Sequence, residues 1–151
     1  MPSRREFISQ VSTSSIAALV TAYPITSMAQ IDPLVARVRA YAGVGNIKEG
    51  RVKLEIASLV DNGNSVPIEV KVSSAMREQD RVVGIAVFNE KNPQPEIAEF
   101  VLGPRTGRAH VSTRIRLATT QRIVAVAKMV DGSCWTHTVE VVVTLAACLD
   151  E

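Results

Sequence analysis

Val52-Lys53-Leu54-Glu55-Ile56 alternates apolar and charged residues, and beyond the turn-forming Asp61-Asn62-Gly63-Asn64 the alternation resumes in Ile68-Glu69-Val70-Lys71-Val72. A period of two is the signature of strands with one buried and one wet face. The Asn62-Gly63 step is expected to supply the positive φ angles of a tight connection. Outward from this pair the pattern continues. Residues 81–88 are almost continuously apolar and read as a central strand. Ala98, Phe100 and Leu102 continue the alternation, Val111, Thr113, Ile115 and Leu117 point one way while Ser112, Arg114 and Arg116 point the other, and residues 123–130 read as a further strand ended by Asp131-Gly132. The last run puts Trp135, Val139, Val141, Val143 and Leu145 in one phase. Asn92-Pro93-Gln94-Pro95 and Gly103-Pro104-Arg105-Thr106-Gly107 break the pattern as loops, since proline removes a donor that a ladder needs. The sum is an all-β chain of about seven strands at spacings typical of an antiparallel β-sandwich.

Before these strands, residues 31–41 read as a short helix opened by Asp32-Pro33 and stopped by Gly43 and Gly45, with Leu34, Val35 and Val38 on one face. Still earlier, Ser3-Arg4-Arg5-Glu6-Phe7-Ile8 precedes a weakly apolar stretch and the small residues Ser27 and Ala29. A charged head, an apolar middle and small residues before a cut describe an export signal, and the paired arginines resemble the twin-arginine (Tat) signal of bacteria. The expected organisation is a signal peptide over 1–29, a helical lead-in over 30–50, a sandwich over 51–146 and an arm over 147–151. Such a leader implies a periplasmic protein. No segment of the sequence has the length and apolarity of a membrane span.

Composition limits the chemistry. The chain has 151 residues, 17 Lys+Arg against 15 Asp+Glu, 46% apolar residues and two cysteines. A net charge of +2 is too even for a surface that tracks nucleic-acid phosphates. Two cysteines do not build a disulfide scaffold, and two histidines leave little for a metal cage, so neither metal nor cofactor is expected. No Ser-His-Asp ordering, phosphate loop or close carboxylate pair suggests an enzyme.

Cys148 is the most informative position. It follows the last strand and Ala146-Ala147. An exposed thiol there is available for a mixed disulfide or for carrying a sulfur group. A bridge to Cys134 is disfavoured, because 14 positions of extended strand separate the two by roughly 45 Å, against the roughly 7 Å limit of a disulfide.

The tail Val141-Val142-Val143-Thr144-Leu145-Ala146-Ala147-Cys148 resembles the end of SoxY, the carrier subunit of the bacterial sulfur-oxidising (Sox) system. So do Glu90-Lys91-Asn92-Pro93-Gln94-Pro95, Val111-Ser112-Thr113-Arg114-Ile115-Arg116-Leu117-Ala118, Gln121-Arg122-Ile123-Val124-Ala125-Val126-Ala127 and Asp131-Gly132-Ser133. The resemblance spans residues 31–148. It implies an immunoglobulin-like sandwich, a heterodimer with a SoxZ-type subunit, covalent attachment of sulfur intermediates to Cys148, and visits to periplasmic Sox enzymes without turnover by the carrier itself. The family tail is typically Gly-Gly-Cys-Gly-Gly; here Ala146 and Ala147 flank the cysteine, and Asp150 and Glu151 follow it. Alanine gives less backbone freedom than glycine, and nearby carboxylates disfavour a thiolate.

Other residues are weighed beside Cys148. Arg114 and Arg116 project from one strand face and are candidates for contact with an anion or a partner. The alternative is a solvated face with cross-strand ion pairs. Cys134 and His137 read as an edge thiol and a surface or interface histidine, pointing to opposite faces of a strand; a copper site would need them to converge with His110. The alternative to a carrier is a non-carrier SoxY-like binding or accessory module for a periplasmic dehydrogenase.

Overall fold

The computed structural model describes residues 31–147; the expected signal peptide, Cys148 and the acidic end of the chain lie outside the described residues. The chain order is α1 (Pro33–Ala42), β1 (Ile47–Glu49), β2 (Val52–Glu55), β3 (Leu59–Val60), β4 (Val66–Val72), β5 (Val82–Asn89), β6 (Glu96–Val101), β7 (His110–Ile115), β8 (Gln121–Met129) and β9 (Cys134–Val143). One sheet runs β1-β9-β8-β5-β6, with β3 also on β9; the other is β2-β4-β7. The all-β sandwich with one short helix is the fold that the alternation indicates.

The inner faces make the core. Val52 and Leu54 of β2, Ile68 and Val70 of β4, Ile85 and Val87 of β5, Ile123 and Ala125 of β8 and Val141 of β9 are buried together. Burial of side chains of this size, at ~25 cal/mol per Å², is the dominant stabilising term. β5 reads as an almost continuous apolar run because both of its faces are covered, as are both faces of the middle of β8. Their outer residues Ala86, Phe88, Val124 and Val126 pack under Leu34, Val38 and Ala42 of α1. These helix positions recur every four residues, one stripe of an amphipathic helix. Val35, expected on that stripe, is exposed.

Asp32 caps α1 by accepting from the Leu34 N–H at 2.9 Å. It also meets Arg122 Nη2 at 2.6 Å, and the same nitrogen meets Glu90 Oε1 at 2.8 Å. Hydrogen bonding to Arg122 holds both carboxyls below their ordinary range. Groups lowered on folding add stability that is present above their unfolded-state pKa and lost as pH falls through the folded one. The anchorage of α1 is therefore expected to weaken below about pH 4, and Arg122→Gln to flatten that dependence, as read by amide hydrogen exchange of α1 across the acid range.

Three features differ from the sequence reading. Among the described residues there are nine strands, because β1 and β3, of three and two residues, were not legible as strands. Both pair parallel with β9, so the antiparallel pattern is not complete. The chain leaves one sheet after β1, crosses the other as β2 and returns as β3. Gly63 therefore does not close a hairpin, and it is not among the positive-φ glycines Gly43, Gly50 and Gly132.

Candidate functional site

The strands deliver the tail to one end of the sandwich. β9 runs unbroken from Cys134 to Val143, so Cys134 starts it at the far end from Ala147. Beyond Val143 the chain is tied down. Gly63 N–H donates to Leu145 O at 2.8 Å, Leu117 N–H donates to Gly63 O at 2.8 Å, and Ala147 N–H donates to Leu117 O at 3.0 Å. Ala147 is buried and Ala146 exposed. The arm expected over 147–151 thus begins from a fixed point, because Ala147 itself is packed and hydrogen-bonded.

The loops beneath that point are held by a buried polar cluster. Asn89 is fully buried; its Nδ2 donates to Gln94 O at 2.7 Å and its Oδ1 accepts from Asn92 N–H at 2.9 Å. Asn92 Oδ1 accepts from Ala118 N–H at 3.0 Å and from Gln121 Nε2 at 2.6 Å, while its Nδ2 donates to Arg116 O at 2.8 Å. Gln121 Oε1 accepts from Lys91 N–H at 2.9 Å. Thr120 Oγ1 accepts from Val143 N–H at 3.0 Å, joining the cluster to the end of β9. Buried polar groups persist only when satisfied in this way. Asn89, Asn92, Gln121 and Gly63 carry the geometry, and a sequence reading of charge and nucleophiles passes over them. Two of them, Asn92 and Gln121, nevertheless fall inside stretches that resemble SoxY.

Arg114 and Arg116 are exposed at this same end. Arg114 Nη1 donates to Ser65 Oγ at 3.4 Å. Neither arginine is in an ion pair among the described residues, whereas the neighbouring face of the small sheet is laced with them: Lys71 bridges Glu55 at 2.6 Å and Glu69 at 2.8 Å. Arg105 and Arg108 precede β7, beyond the end of that strand away from Arg114.

The other candidates separate. Cys134 is not an edge thiol: it is a free cysteine, fully buried under α1 between β1 and β8. Burial pushes its thiol pKa up, which keeps it unreactive. His137 Nδ1 accepts from Leu54 N–H at 3.1 Å, stitching β9 to β2 of the other sheet. His110 Nε2 lies 3.5 Å from Glu69 on the outside of the small sheet. These three residues do not converge, and among the described residues no group of three or more His, Cys, Asp or Glu is placed to hold a metal ion. Trp135 packs against the main core, with Lys48 and Arg51 each 5.6 Å from its ring. No helix of the described residues is long and apolar enough to cross a membrane.

A family model described as "Sulfur oxidation protein SoxY" matches residues 37–148. The chain belongs to the SoxY family. The match runs from α1 through the polar cluster to Cys148, so the SoxY pattern covers the elements that fix the tail as well as the cysteine. Among solved structures, the sulfur carrier protein SoxY from Chlorobium limicola f thiosulfatophilum is similar at a TM-score of 0.62 and 28% identity, over 74% of this chain and 96% of that one. A superoxide reductase (neelaredoxin) from Ignicoccus hospitalis matches at 0.55 and 15% identity, over 62% of this chain and 80% of that one. A superoxide reductase from Nanoarchaeum equitans matches at 0.54 and 12%, over 64% and 100%. At such identities these two share the fold alone. No curated protein sequence matches.

Proposed function

We propose that this SoxY-family chain is a periplasmic carrier, exported through a Tat leader over residues 1–29, that holds oxidation intermediates of thiosulfate or a related reduced sulfur compound on Cys148. The observation that carries the reading is the SoxY match through Cys148, combined with a sandwich that fixes the residue before it at one end. Similarity to a structure described as a sulfur carrier supports it. Joining the Cys148 thiol to thiosulfate through a new S–S bond releases one proton and two electrons, which an electron acceptor of the loading enzyme must take. The carrier supplies the thiol and its placement, and catalysis belongs to the Sox enzymes it visits. A SoxZ-type subunit is its expected heterodimer partner. Ala146 and Ala147 flank the cysteine with the smallest side chains that still stiffen the backbone.

Replacing Cys148 by Ser in the producing cell is expected to abolish thiosulfate-dependent respiration. Mass analysis of the wild-type protein is expected to show sulfane, thiosulfonate or sulfonate adducts on the C-terminal peptide. Respiration at the full rate in Cys148→Ser cells overturns the carrier reading and leaves the accessory-module reading in its place.

A further inference from the structure

Of the chain's five asparagines only Asn62 is followed by glycine. In that dipeptide the side-chain amide is most open to attack by the next backbone nitrogen, because glycine has no Cβ to block the approach. The reaction needs an electrophilic Asn62 Cγ and a free Gly63 nitrogen, and the fold treats the two oppositely.

The electrophile is exposed and polarised. Asn62 faces solvent, and its Oδ1 accepts from Asn64 N–H at 2.9 Å and from Asn64 Nδ2 at 3.0 Å. Two donors on one carbonyl oxygen stabilise the negative charge that oxygen takes on when Cγ is attacked. The nucleophile is masked. Gly63 is buried, and its N–H donates to Leu145 O at 2.8 Å. Leu145 is kept there by its neighbours. Thr144 N–H donates to Val60 O at 3.0 Å and Thr144 Oγ1 to Asp61 O at 3.1 Å, while Ala147 N–H donates to Leu117 O at 3.0 Å. Cyclisation therefore waits on residues 144–147 lifting from Gly63.

We propose that Asn62 is a self-modification site, unmasked when residues 144–147 lift from Gly63, and that the product keeps them from reseating. Gly63 N gives its proton to solvent and bonds to Asn62 Cγ. The bond from Cγ to the side-chain nitrogen breaks, and ammonia leaves with a proton returned by solvent. Water then opens the five-membered succinimide. Breaking the new N–Cγ bond gives aspartate. Breaking the bond from the same nitrogen to the Asn62 main-chain carbonyl carbon gives isoaspartate, whose backbone is one carbon longer. Gly63 holds Leu145 through its N–H and Leu117 through its C=O, so an inserted carbon puts both bonds out of register. The inference uses no property of Cys148 and is independent of the carrier reading.

Incubation of the full chain at mildly alkaline pH tests it. Isoaspartate is mapped by mass spectrometry of the peptide holding residues 62–64, and hydrogen exchange is read at the Gly63 amide. Both reactions need the same N–H released. Their slowing relative to the chain in urea is therefore expected to match, at about tenfold or more. Thr120→Val removes the acceptor of Val143 N–H, and Thr144→Val removes the donor to Asp61 O; neither alters residues 62–64. Each is expected to speed modification of Asn62 and exchange at Gly63 by one common factor, about fivefold. The purified isoaspartate form is expected to exchange the Leu117 and Ala147 amides faster than the unmodified chain. Asn62→Asp, which keeps the acceptor and the backbone length, is expected to exchange them as the wild type does. Modification of the folded chain at its rate in urea overturns the masking. So do variants that speed Gly63 exchange without speeding modification, variants that leave both rates unchanged, and modification that falls on Asn64 instead. Wild-type exchange in the isoaspartate form overturns the block on reseating.

Discussion

Gly63→Ala is expected to lower the unfolding free energy by about 3 kcal/mol, the scale of an overpacked core site with broken hydrogen bonds. Gly63 is buried, and its φ lies outside the left-handed region, so the cost is not conformational. It is a matter of space. A Cβ at this position would overlap the Leu117 carbonyl oxygen and stand 3.0 Å from the Ala147 nitrogen and 3.2 Å from Val143 Cγ1. Two of those three atoms are backbone, which cannot swing aside as a side-chain tip does. The same backbone atoms join Gly63, Leu117, Leu145 and Ala147, so relieving the overlap separates the tail from the sandwich. For a domain of this size the loss corresponds to a Tm about 10 °C lower. Faster hydrogen exchange at the Ala147 and Leu117 amides would accompany it. Gly103→Ala is the matched control: a Cβ there meets nothing within 4 Å, and its cost is expected to stay within about 0.5 kcal/mol. Equal melting temperatures for the two variants would show that the tail is not seated on Gly63.

The layers of the sandwich were readable because burial on one face writes a period of two into the sequence. Val52, Leu54, Ile68 and Val70 all turn inward as that period requires. The double burial of β5 was likewise visible as an almost unbroken apolar run. What escaped is what periodicity does not encode. β1 and β3 are too short to show a period, and their parallel pairing with β9 is fixed by the path of the chain between sheets. Gly63 advertised a turn by composition, whereas its role is close approach of three backbone segments, a property of tertiary structure. Cys134 sits on the face of β9 that α1 covers, and nothing in its own strand announces the helix. At the candidate site, the cysteine and arginines drew attention through their chemistry. The residues that set the place of departure are neutral amides at strand ends and in one loop, and Asn92 and Gln121 find hydrogen-bond partners 24 to 30 residues away.

Gln121→Leu is expected to cost about 2–3 kcal/mol although it nearly conserves volume, because it removes both hydrogen bonds of a buried amide. Gln121 is 1% exposed, so its own amide depends on protein partners. Its Oε1 is the acceptor for Lys91 N–H, and its Nε2 is one of two donors to Asn92 Oδ1. Leucine leaves the Lys91 N–H without a partner, while Asn92 Oδ1 keeps Ala118. The loss is therefore expected to fall on the 89–95 loop more than on the 116–120 turn, and hydrogen exchange at Lys91 and Asn92 separates the two. Gln121→Glu provides a second reading of the same site. The carboxylate keeps an acceptor for Lys91 but turns an oxygen toward Asn92 Oδ1, and burial raises its pKa above the unfolded value. A group raised on folding penalises the ionised form, so Gln121→Glu is expected to be poorest above neutrality and to regain stability as pH falls and the carboxyl protonates, becoming a donor again. Gln121→Leu shows no such recovery. If chemical denaturation across pH gives the two variants the same profile, Gln121 acts through its volume, and the amide network does not hold the loops under the tail.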